Sequence, residues 1–332
     1  MIRKVAIFAL LIILATPVLA QQLTIYSGRN PKFLDPLLQS FAHQTGITIN
    51  LISGNSSILL SRLSLEDRTT AADIYIGNDV GNLYRGSSYG LFNKISKSLL
   101  SLVPAKHRSP DDDWIGLSGR LRVLVVNTES RMSDNLDSIY DLSKPDLKGK
   151  IGITYASNES FIGGATSYFH IVGKEKNRQW LQGLKENAGH NLYKKHSKIV
   201  QAVAYGNKVV GLVNHYYALQ FMQKFPEAPI KLVIPDQGKD QIGVAWNMTG
   251  IAVSRFSKQP EVAEKLLAYL LSKEQQKIFA EVNQEYPVLS GVTLAKGVPA
   301  MESFRNIQTP IAEIGRQRDD TITEFHRLRL RY

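Results

Sequence analysis

The segment LTIYSG, Leu23 to Gly28, determines the predicted fold when it is taken together with the helix pattern that follows it. Its first four residues have the β-branched and aromatic composition of a strand, and the serine and glycine end that strand. Apolar residues then recur at helical spacing from Leu34 to Ala42, and Gly46 ends the predicted helix. Either Pro36 or the pair Asn30–Pro31 marks its start. The segment therefore predicts a strand followed by a helix.

Two more strand segments follow within the next fifty residues. Ile47–Ile52 and Ala72–Ile76 are predicted strands, and a predicted helix from Ile58 to about Asp67 lies between them. This alternation predicts a parallel, doubly wound sheet, and such sheets bind ligands at the carboxyl ends of their strands. The candidate binding loops are therefore Ser27–Asn30, Gly54–Ser57 and Gly77–Asp79.

A second set of α/β units begins near residue 115. The apolar stretches Ile115–Asn127 and Ala245–Ser254 predict two strands that cross between two lobes. The predicted fold class is therefore α/β, a two-lobed clamshell with two chain crossings between the lobes. The predicted first lobe is 21–119 plus 248–300, and the predicted second lobe is 120–247 plus 301–332.

The first twenty residues have the features of a signal peptide. Arg3 and Lys4 precede the apolar run Val5–Leu14, and small residues lead to Ala20. This order predicts export to a periplasm with cleavage after Ala20. A membrane anchor is the alternative, although the run is shorter than the ~20 apolar residues of a membrane span.

Composition excludes several classes of protein. The 332 residues include 40 Lys and Arg, 29 Asp and Glu, and no cysteine. Disulfides, thiolate nucleophiles and iron–sulfur sites are therefore excluded. The formal net charge of +11 suits an anionic ligand, an acidic surface or nucleic acid. Because the basic residues are scattered, and the dense run Arg327–Arg331 is interpreted as a solvated helix end, no nucleic-acid partner is expected.

Enzyme motifs are scarce in this sequence. It has no GxSxG elbow, phosphate loop, HExxH pair or GxGxxG after the first strand. The histidines show no zinc-ligand spacing, and His43, His190 and His196 are interpreted as surface residues. We therefore predict that the protein is not an enzyme. The residues that an exported enzyme could use are Asp73, Asp79, Glu159 and His215.

Two adjacent tyrosines, Tyr216 and Tyr217, follow the predicted strand Val209–Asn214. A phenol has a pKa near ~10, so its deprotonation at neutral pH needs a strong local cation. A trivalent metal provides that field, and phenolate oxygens match such a hard ion. Aromatic packing or sugar stacking is the alternative interpretation of the pair.

Several short segments, in order along the chain, resemble one family. They are Ile25–Arg29, Ala72–Tyr75, Trp114–Arg120, Leu147–Gly152, Trp180–Asn187, Asn214–Tyr217 and Glu285–Pro287. Through them the chain resembles the periplasmic ferric-iron-binding proteins of ABC transporters, which are relatives of the transferrin-like clamshells. The resemblance implies the periplasmic-binding-protein fold, capture of Fe(III) or a ferric chelate in the interlobe cleft, and delivery by a monomer to an ABC permease in the inner membrane.

The resemblance also implies which residues bind the metal. Tyr216 and Tyr217 match the two phenolate ligands of the family. Where the family often has a histidine, a glutamate and sometimes a further tyrosine, this chain has Asn30, Asn78 and Ser160. The remaining candidates for the metal are Asn30, Asn78, Asp79 and Tyr155, although Asp79 is equally placed to cap the next helix.

Missing anionic ligands make an exogenous anion, carbonate or phosphate, an expected partner of the iron. A guanidinium and the N–H groups at a helix start both favour such an anion. The candidate anion-binding residues are Arg29, Ser157, Asn158, Ser160 and Asn214. A structural salt bridge and a surface charge are the other interpretations of Arg29. The departures at Asn30 and Asn78 also support a rival function, the binding of a small organic anion on the same fold.

Overall fold

The computed structural model describes residues 21–331, and the predicted signal peptide lies outside the described residues. Within that range the strands are β1 (Gln22–Ser27), β2 (Thr48–Ser53), β3 (Ile74–Gly77), β4 (Ile115–Asn127), β5 (Ile151–Gly152), β6 (Val210–Asn214), β7 (Ile230–Val233), β8 (Trp246–Val253) and β9 (Tyr286–Pro287). They join in the order β2-β1-β3-β8-β4-β6-β5, while β7 and β9 each pair with β4.

The helices cover both sides of this sheet. They are α1 (Asp35–Thr45), α2 (Ser56–Glu66), α3 (Val80–Ser88), α4 (Lys97–Leu100), α5 (Glu159–Ala188), α6 (His196–Ala204), α7 (His215–Lys224), α8 (Pro260–Leu270), α9 (Lys273–Asn283), α10 (Ile311–Arg316) and α11 (Arg318–Arg327). Gly173, with φ at 80°, breaks α5 into two halves. None of the helices in the described range has the length and apolar character needed to cross a bilayer.

The first predicted strand and helix form as expected. β1 lies parallel to both β2 and β3, with Ile25 beside Leu51 on one side and Ile74 on the other. α1 begins at Asp35, so that Pro36 occupies its first turn, and Gly46 ends it in the left-handed conformation. Of the two predicted helix starts, Pro36 is therefore the correct one.

Strand β4 is long enough to belong to both lobes. Its first half pairs with β8, and its second half, from Arg122 onward, pairs with β6 and β7. All thirteen of its residues are buried, because each half is covered by a different set of helices and strands. β8 makes the return crossing between Trp246 and Val253. The predicted α/β fold with two strand crossings is confirmed.

The apolar cores follow the same division. The first lobe has one core, built mainly from residues between 23 and 117 and between 248 and 288. The second lobe has a core on each face of its sheet. Leu124 and Val126 of β4 face one of these cores, and Val123 and Val125 face the other. Alternation along the strand produces this division.

The C-terminal segment differs from the predicted lobe boundaries. Val298 lies in a core of the second lobe, although it was predicted in the first. Ile314 of α10 packs in the first-lobe core, although 301–332 was predicted in the second. The run Arg327–Arg331 is also more than a solvated helix end, since its two leucines pack on the second lobe. These placements depend on contacts between residues far apart along the chain, which sequence periodicity does not report.

Candidate functional site

The two tyrosines lie in the first turn of α7, where β6 ends. Their ring centroids are 4.5 Å apart. Phe33, from the first lobe, packs edge-on against both of them, with centroid distances of 5.5 Å to Tyr216 and 6.4 Å to Tyr217. The pair therefore lies at the contact between the lobes, where the resemblance places the binding cleft.

A hydrogen-bond network surrounds the hydroxyl of Tyr216. Asn214 Nδ2 donates to Tyr216 Oη over 3.2 Å and to Ser160 Oγ over 3.1 Å. Arg122 Nη1 donates to Asn214 Oδ1 over 3.3 Å. Of the predicted anion-binding residues, Ser160 and Asn214 are thus brought next to a predicted metal ligand.

Both phenols are held in their protonated form by the protein alone. Burial raises the pKa of Tyr216, and the charge of Glu285 raises it further, whereas Arg120 and Arg29 lower it. Burial and the neighbouring Tyr216 raise the pKa of Tyr217 well above its usual value. Each phenolate therefore needs an additional cation in order to form, and a trivalent metal supplies that charge.

Arg29 does not have the predicted role at this site. Its Nη2 forms a buried ion pair with Glu285, and its Nη1 donates to Thr249 Oγ1 over 2.8 Å. Its guanidinium carbon also lies 5.1 Å from the ring centroid of Phe33. The structure therefore shows the salt-bridge alternative, in which the charge of Arg29 is balanced by Glu285.

Two other arginines, Arg120 and Arg122, also have spare donors and, unlike Arg29, no ion pair. They are 2% and 4% exposed, and Nε of both, together with Nη2 of Arg122, has no hydrogen-bond partner. Within residues 21–331 no carboxylate lies within ion-pair distance of Arg122, and burial lowers its pKa to about 10. Arg122 is therefore a charged donor at neutral pH that the protein leaves without a counter-ion. A small cavity beside it is lined by Arg120, Arg122, Ser160, Asn214 and Trp246, among others.

His196 is a further residue that sequence analysis placed incorrectly. It is buried rather than exposed, its ring centroid lies 5.2 Å from that of Tyr217, and its ring nitrogens lie 3.3 and 3.4 Å from Arg122 Nη1. Burial and the charge of Arg122 lower its pKa well below the usual value. A neutral His196 therefore adds no charge next to Arg122.

Asn78 and Asn30 have other partners than a metal. The carbonyl of Asn78 accepts from Arg120 Nη2, and its Oδ1 accepts from Thr249 Oγ1 over 3.3 Å. The side chain of Asn30 is exposed and caps the short turn Pro31–Phe33 by accepting from Lys32 N over 3.1 Å. Both side-chain oxygens therefore accept hydrogen bonds from groups of the protein.

Residues before α5 differ from their predicted roles in the same way. Asn158 caps α5 with Oδ1, accepting from the backbone N–H of Ser160 and Phe161 over 3.1 and 3.2 Å. The N–H group of Ser160, which was predicted to help hold an anion, is thus already satisfied. Ser157 is exposed, and Tyr155 is half-buried with its backbone N–H donating to Tyr193 O over 3.3 Å.

Asp79 caps α3 and belongs to a separate polar cluster. It accepts from Asn82 N over 3.1 Å and from Asn82 Nδ2 over 2.8 Å, and Arg318 Nε lies 3.8 Å from it. Asn82 Nδ2 also donates to Glu159 Oε1 over 3.1 Å. The capping alternative is correct, and the predicted ligand role of Asp79 is not supported.

This cluster predicts a pH dependence of stability. The charged and titratable groups that face Glu159 are Asp79, Arg318 and Tyr75, and its pKa is raised to about 7, chiefly by burial and then by Asp79. A carboxyl group with a raised pKa holds its proton more tightly when folded. Its contribution to the unfolding free energy is therefore full below about pH 4.5 and is lost as the pH rises to about 7.

We expect the unfolding free energy of the iron-free protein to fall, relative to that of Glu159→Gln, between pH 5 and pH 8. Urea denaturation at four pH values measures this difference. Glu175→Gln, an exposed position on the same helix, should keep the wild-type slope. An equal slope in Glu159→Gln would contradict the prediction.

The residues considered for an enzyme do not form one site. Asp73 accepts from Thr24 N and Ser257 Oγ inside the first lobe. His215 Nδ1 accepts from Leu121 N over 3.2 Å, its Nε2 lies 2.8 Å from Gln284 O, and burial lowers its pKa to about 3. Asp79 and Glu159 share the separate cluster described above. Within residues 21–331 there is also no group of three or more His, Asp or Glu side chains able to hold a metal.

Four site residues were missed by sequence analysis: Arg120, Arg122, His196 and Glu285. The arginines carried a usable signal, because residues two apart on a strand face the same side. Glu285 lies in a segment that supports the family resemblance, but its partner is 256 residues away along the chain. No local pattern connects such a pair.

Comparisons with known proteins show which proteins this chain is similar to in sequence and fold. Iron uptake protein A1 of Synechocystis sp. is 29% identical over 307 residues, covering 90% of this chain and 85% of that protein. The structure of a ferric binding protein from Campylobacter jejuni has a TM-score of 0.86 and 28% identity, covering 93% of this chain and all of that one. A Trichodesmium protein (IdiA, FutA) solved with iron and citrate has a TM-score of 0.78 and 31% identity, covering 92% of this chain and 99% of that one.

The profile of one family extends over most of the chain. It matches residues 71–309, which include both strand crossings, the two tyrosines and the buried Arg120 and Arg122. The resemblance seen in the sequence is therefore confirmed by an independent match and by the fold. The chain belongs to the bacterial extracellular solute-binding protein family.

Proposed function

We propose that this protein is the periplasmic component of an ABC transporter that captures ferric iron between its lobes and delivers it to a permease in the inner membrane. The observation that carries the proposal is the pair Tyr216 and Tyr217 at the contact between the lobes, beside buried arginines without counter-ions. The names of the Synechocystis, Campylobacter and Trichodesmium relatives support iron as the cargo.

Charge balance at the site requires more than the tyrosines. Two phenolates supply two negative charges against the three positive charges of Fe(III). Asp79 does not join them, because it caps α3 and faces Arg318. Carbonate or phosphate would supply the missing charge and further oxygen ligands, which a hard ion prefers.

The seat of that anion is proposed at Arg122, with Arg120, Ser160 and Asn214 beside it. Arg122 has two unpartnered nitrogens next to Asn214, whose Nδ2 already contacts the hydroxyl of Tyr216. An anion held there lies between the guanidinium and the metal. Arg29 supports the site through its pair with Glu285 instead of binding the anion directly.

Closure of the lobes completes the site. Phe33 of the first lobe contacts both tyrosines of the second, while β4 and β8 connect the lobes through continuous strands. A hinge in these strands lets the first lobe open and close over a ligand held on the second. Iron bound by α7 would thus be enclosed by residues from the other lobe.

An iron titration tests the proposal directly. Mature protein receives Fe(III) from a weak chelator, with and without added bicarbonate, and visible absorbance reports phenolate-to-iron charge transfer. We expect a coloured complex whose affinity rises with the added anion. Protein that stays colourless and leaves iron on the chelator would contradict the proposed function.

Replacing Arg122 separates its role in binding from its role in stability. We expect Arg122→Gln to weaken iron retention in bicarbonate by about one to two decades, since a charge-assisted contact contributes roughly 1.5–3 kcal/mol. The iron-free variant should be at least as stable as wild type, because a buried cation without a counter-ion is costly. Arg62→Gln, on the surface of α2, is the control. Unchanged affinity and anion dependence in Arg122→Gln would contradict this seat.

A small organic anion is a second candidate ligand. It is favoured by the buried arginines Arg29, Arg120 and Arg122, of which only Arg29 has a carboxylate within ion-pair distance, Glu285, among the described residues. Wild-type protein that takes no iron, yet gains thermal stability with citrate or another small carboxylate, would support this alternative.

A further inference from the structure

The first turn of α5 touches both lobes through two adjacent residues. Glu159 Oε1 accepts from the backbone N–H of Ser57 over 3.0 Å and from Asn82 Nδ2 over 3.1 Å. Ser57 lies in the first turn of α2 and Asn82 lies in α3, both in the first lobe, whereas α5 packs in the second. Glu159 therefore connects the two lobes through hydrogen bonds that its side-chain oxygen accepts.

The next residue leads directly to the candidate metal site. Ser160 Oγ accepts from Asn214 Nδ2 over 3.1 Å, and Asn214 Nδ2 also donates to Tyr216 Oη over 3.2 Å. Asn158 caps this turn of helix, so that Glu159 and Ser160 are held in a fixed relative orientation. A displacement of Glu159 would displace Ser160 and change the contact of Asn214 with Tyr216.

Residues from a third part of the chain enclose the contact. Arg318 Nη2, from α11, donates to Ser57 Oγ over 3.0 Å. Asn82 Nδ2 also donates to Asp79 Oδ2 over 2.8 Å. Glu159, Asp79, Asn82 and Arg318 are all buried. Opening of the lobes would separate Glu159 from Ser57 and Asn82, so these contacts of Glu159 form only in the closed arrangement.

We propose that Glu159 is a positioning residue that couples closure of the lobes to the hydrogen bond between Asn214 and Tyr216. The inference rests on the proposed function, since Tyr216 is taken as an iron ligand. A phenolate is a stronger acceptor than a phenol, so the contact with Asn214 strengthens when iron is bound. Closure then holds the second lobe in the form that favours the phenolate.

The test measures iron release and lobe opening in matched variants. Iron-loaded wild type, Glu159→Ala, Glu159→Gln and Glu175→Gln are mixed with a strong chelator, and loss of the visible band gives the release rate. Small-angle X-ray scattering of the same samples reports lobe opening. Thermal unfolding confirms that each variant is folded. Glu175 is the control, because it is an exposed carboxylate on the same helix.

We expect Glu159→Ala to release iron about ten to a hundred times faster, the range for loss of a residue that orients a metal ligand. Its charge-transfer band should move to longer wavelength as Tyr216 loses its donor, and its radius of gyration should rise. Glu159→Gln keeps an acceptor oxygen and should recover most of the wild-type rate. Glu175→Gln should match wild type.

Two different results would overturn the proposals separately. If wild type and Glu175→Gln bind iron and Glu159→Ala releases it at the same rate, with an unchanged band, the coupling is wrong while the proposed function stands. A radius of gyration that does not change in Glu159→Ala would also contradict it. If wild type binds no iron, the proposed function fails, and the coupling to Tyr216 fails with it.

Discussion

Tyr216→Phe and Tyr217→Phe are each expected to remove most of the visible band and to weaken Fe(III) binding by more than about 100-fold. Loss of a residue that merely orients a ligand costs roughly 10- to 100-fold, so loss of the ligand itself should exceed that range. Each substitution also removes one negative charge from a site in which two phenolates face three positive charges. Competition with a chelator of known affinity measures the effect.

The control for the tyrosines is Tyr205→Phe. Tyr205 is 70% exposed at the end of α6, and its replacement should leave colour and affinity unchanged. Variants of Tyr216 and Tyr217 that keep the wild-type band would instead support the alternative that the pair serves aromatic packing against Phe33.

The second large effect is expected on stability. Arg29→Met should lower the unfolding free energy of the iron-free protein by about 3–5 kcal/mol, because it leaves Glu285 buried without its counter-ion. Arg29→Met combined with Glu285→Gln should recover most of the loss. Urea denaturation of both single variants and the double variant gives the coupling between the two residues.

An exposed ion pair provides the control for Arg29. Lys277 and Glu281 on α9 are 3.6 Å apart, with side chains 60% and 51% exposed. Lys277→Met should therefore change the unfolding free energy by less than about 1 kcal/mol. If Arg29→Met were as stable as wild type, the ion pair with Glu285 would contribute nothing to stability, and the prediction would be wrong.

Local sequence correctly placed the elements that carry the candidate site. The two tyrosines were expected after the strand that ends at Asn214, and they lie in the first turn of α7. The two crossing strands were expected from long apolar stretches, and β4 and β8 match them. These features depend on residues within a few positions of one another, which periodicity reports directly.

Some errors were also local and involve helix caps. Asp79 and Asn158 accept hydrogen bonds from residues two or three positions ahead, so their side chains are used before any ligand arrives. Capping was the stated alternative for Asp79, and the same rule applied to Asn158 would have removed it from the anion site. Such residues favour caps and binding loops for the same chemical reason, a short side-chain acceptor.

What the sequence by itself determined was the fold, the family and the position of the tyrosine pair, since each rests on patterns contained in short segments. Only the tertiary structure decided the charges of the site. Arg29 meets Glu285 and Arg122 meets His196 across 256 and 74 residues, and Glu159 meets Asn82 across 77. A buried charge takes its role from the partner that replaces its lost hydration, and that partner is chosen by folding. The same residue type thus forms a salt bridge at position 29 and is the proposed anion-binding residue at position 122.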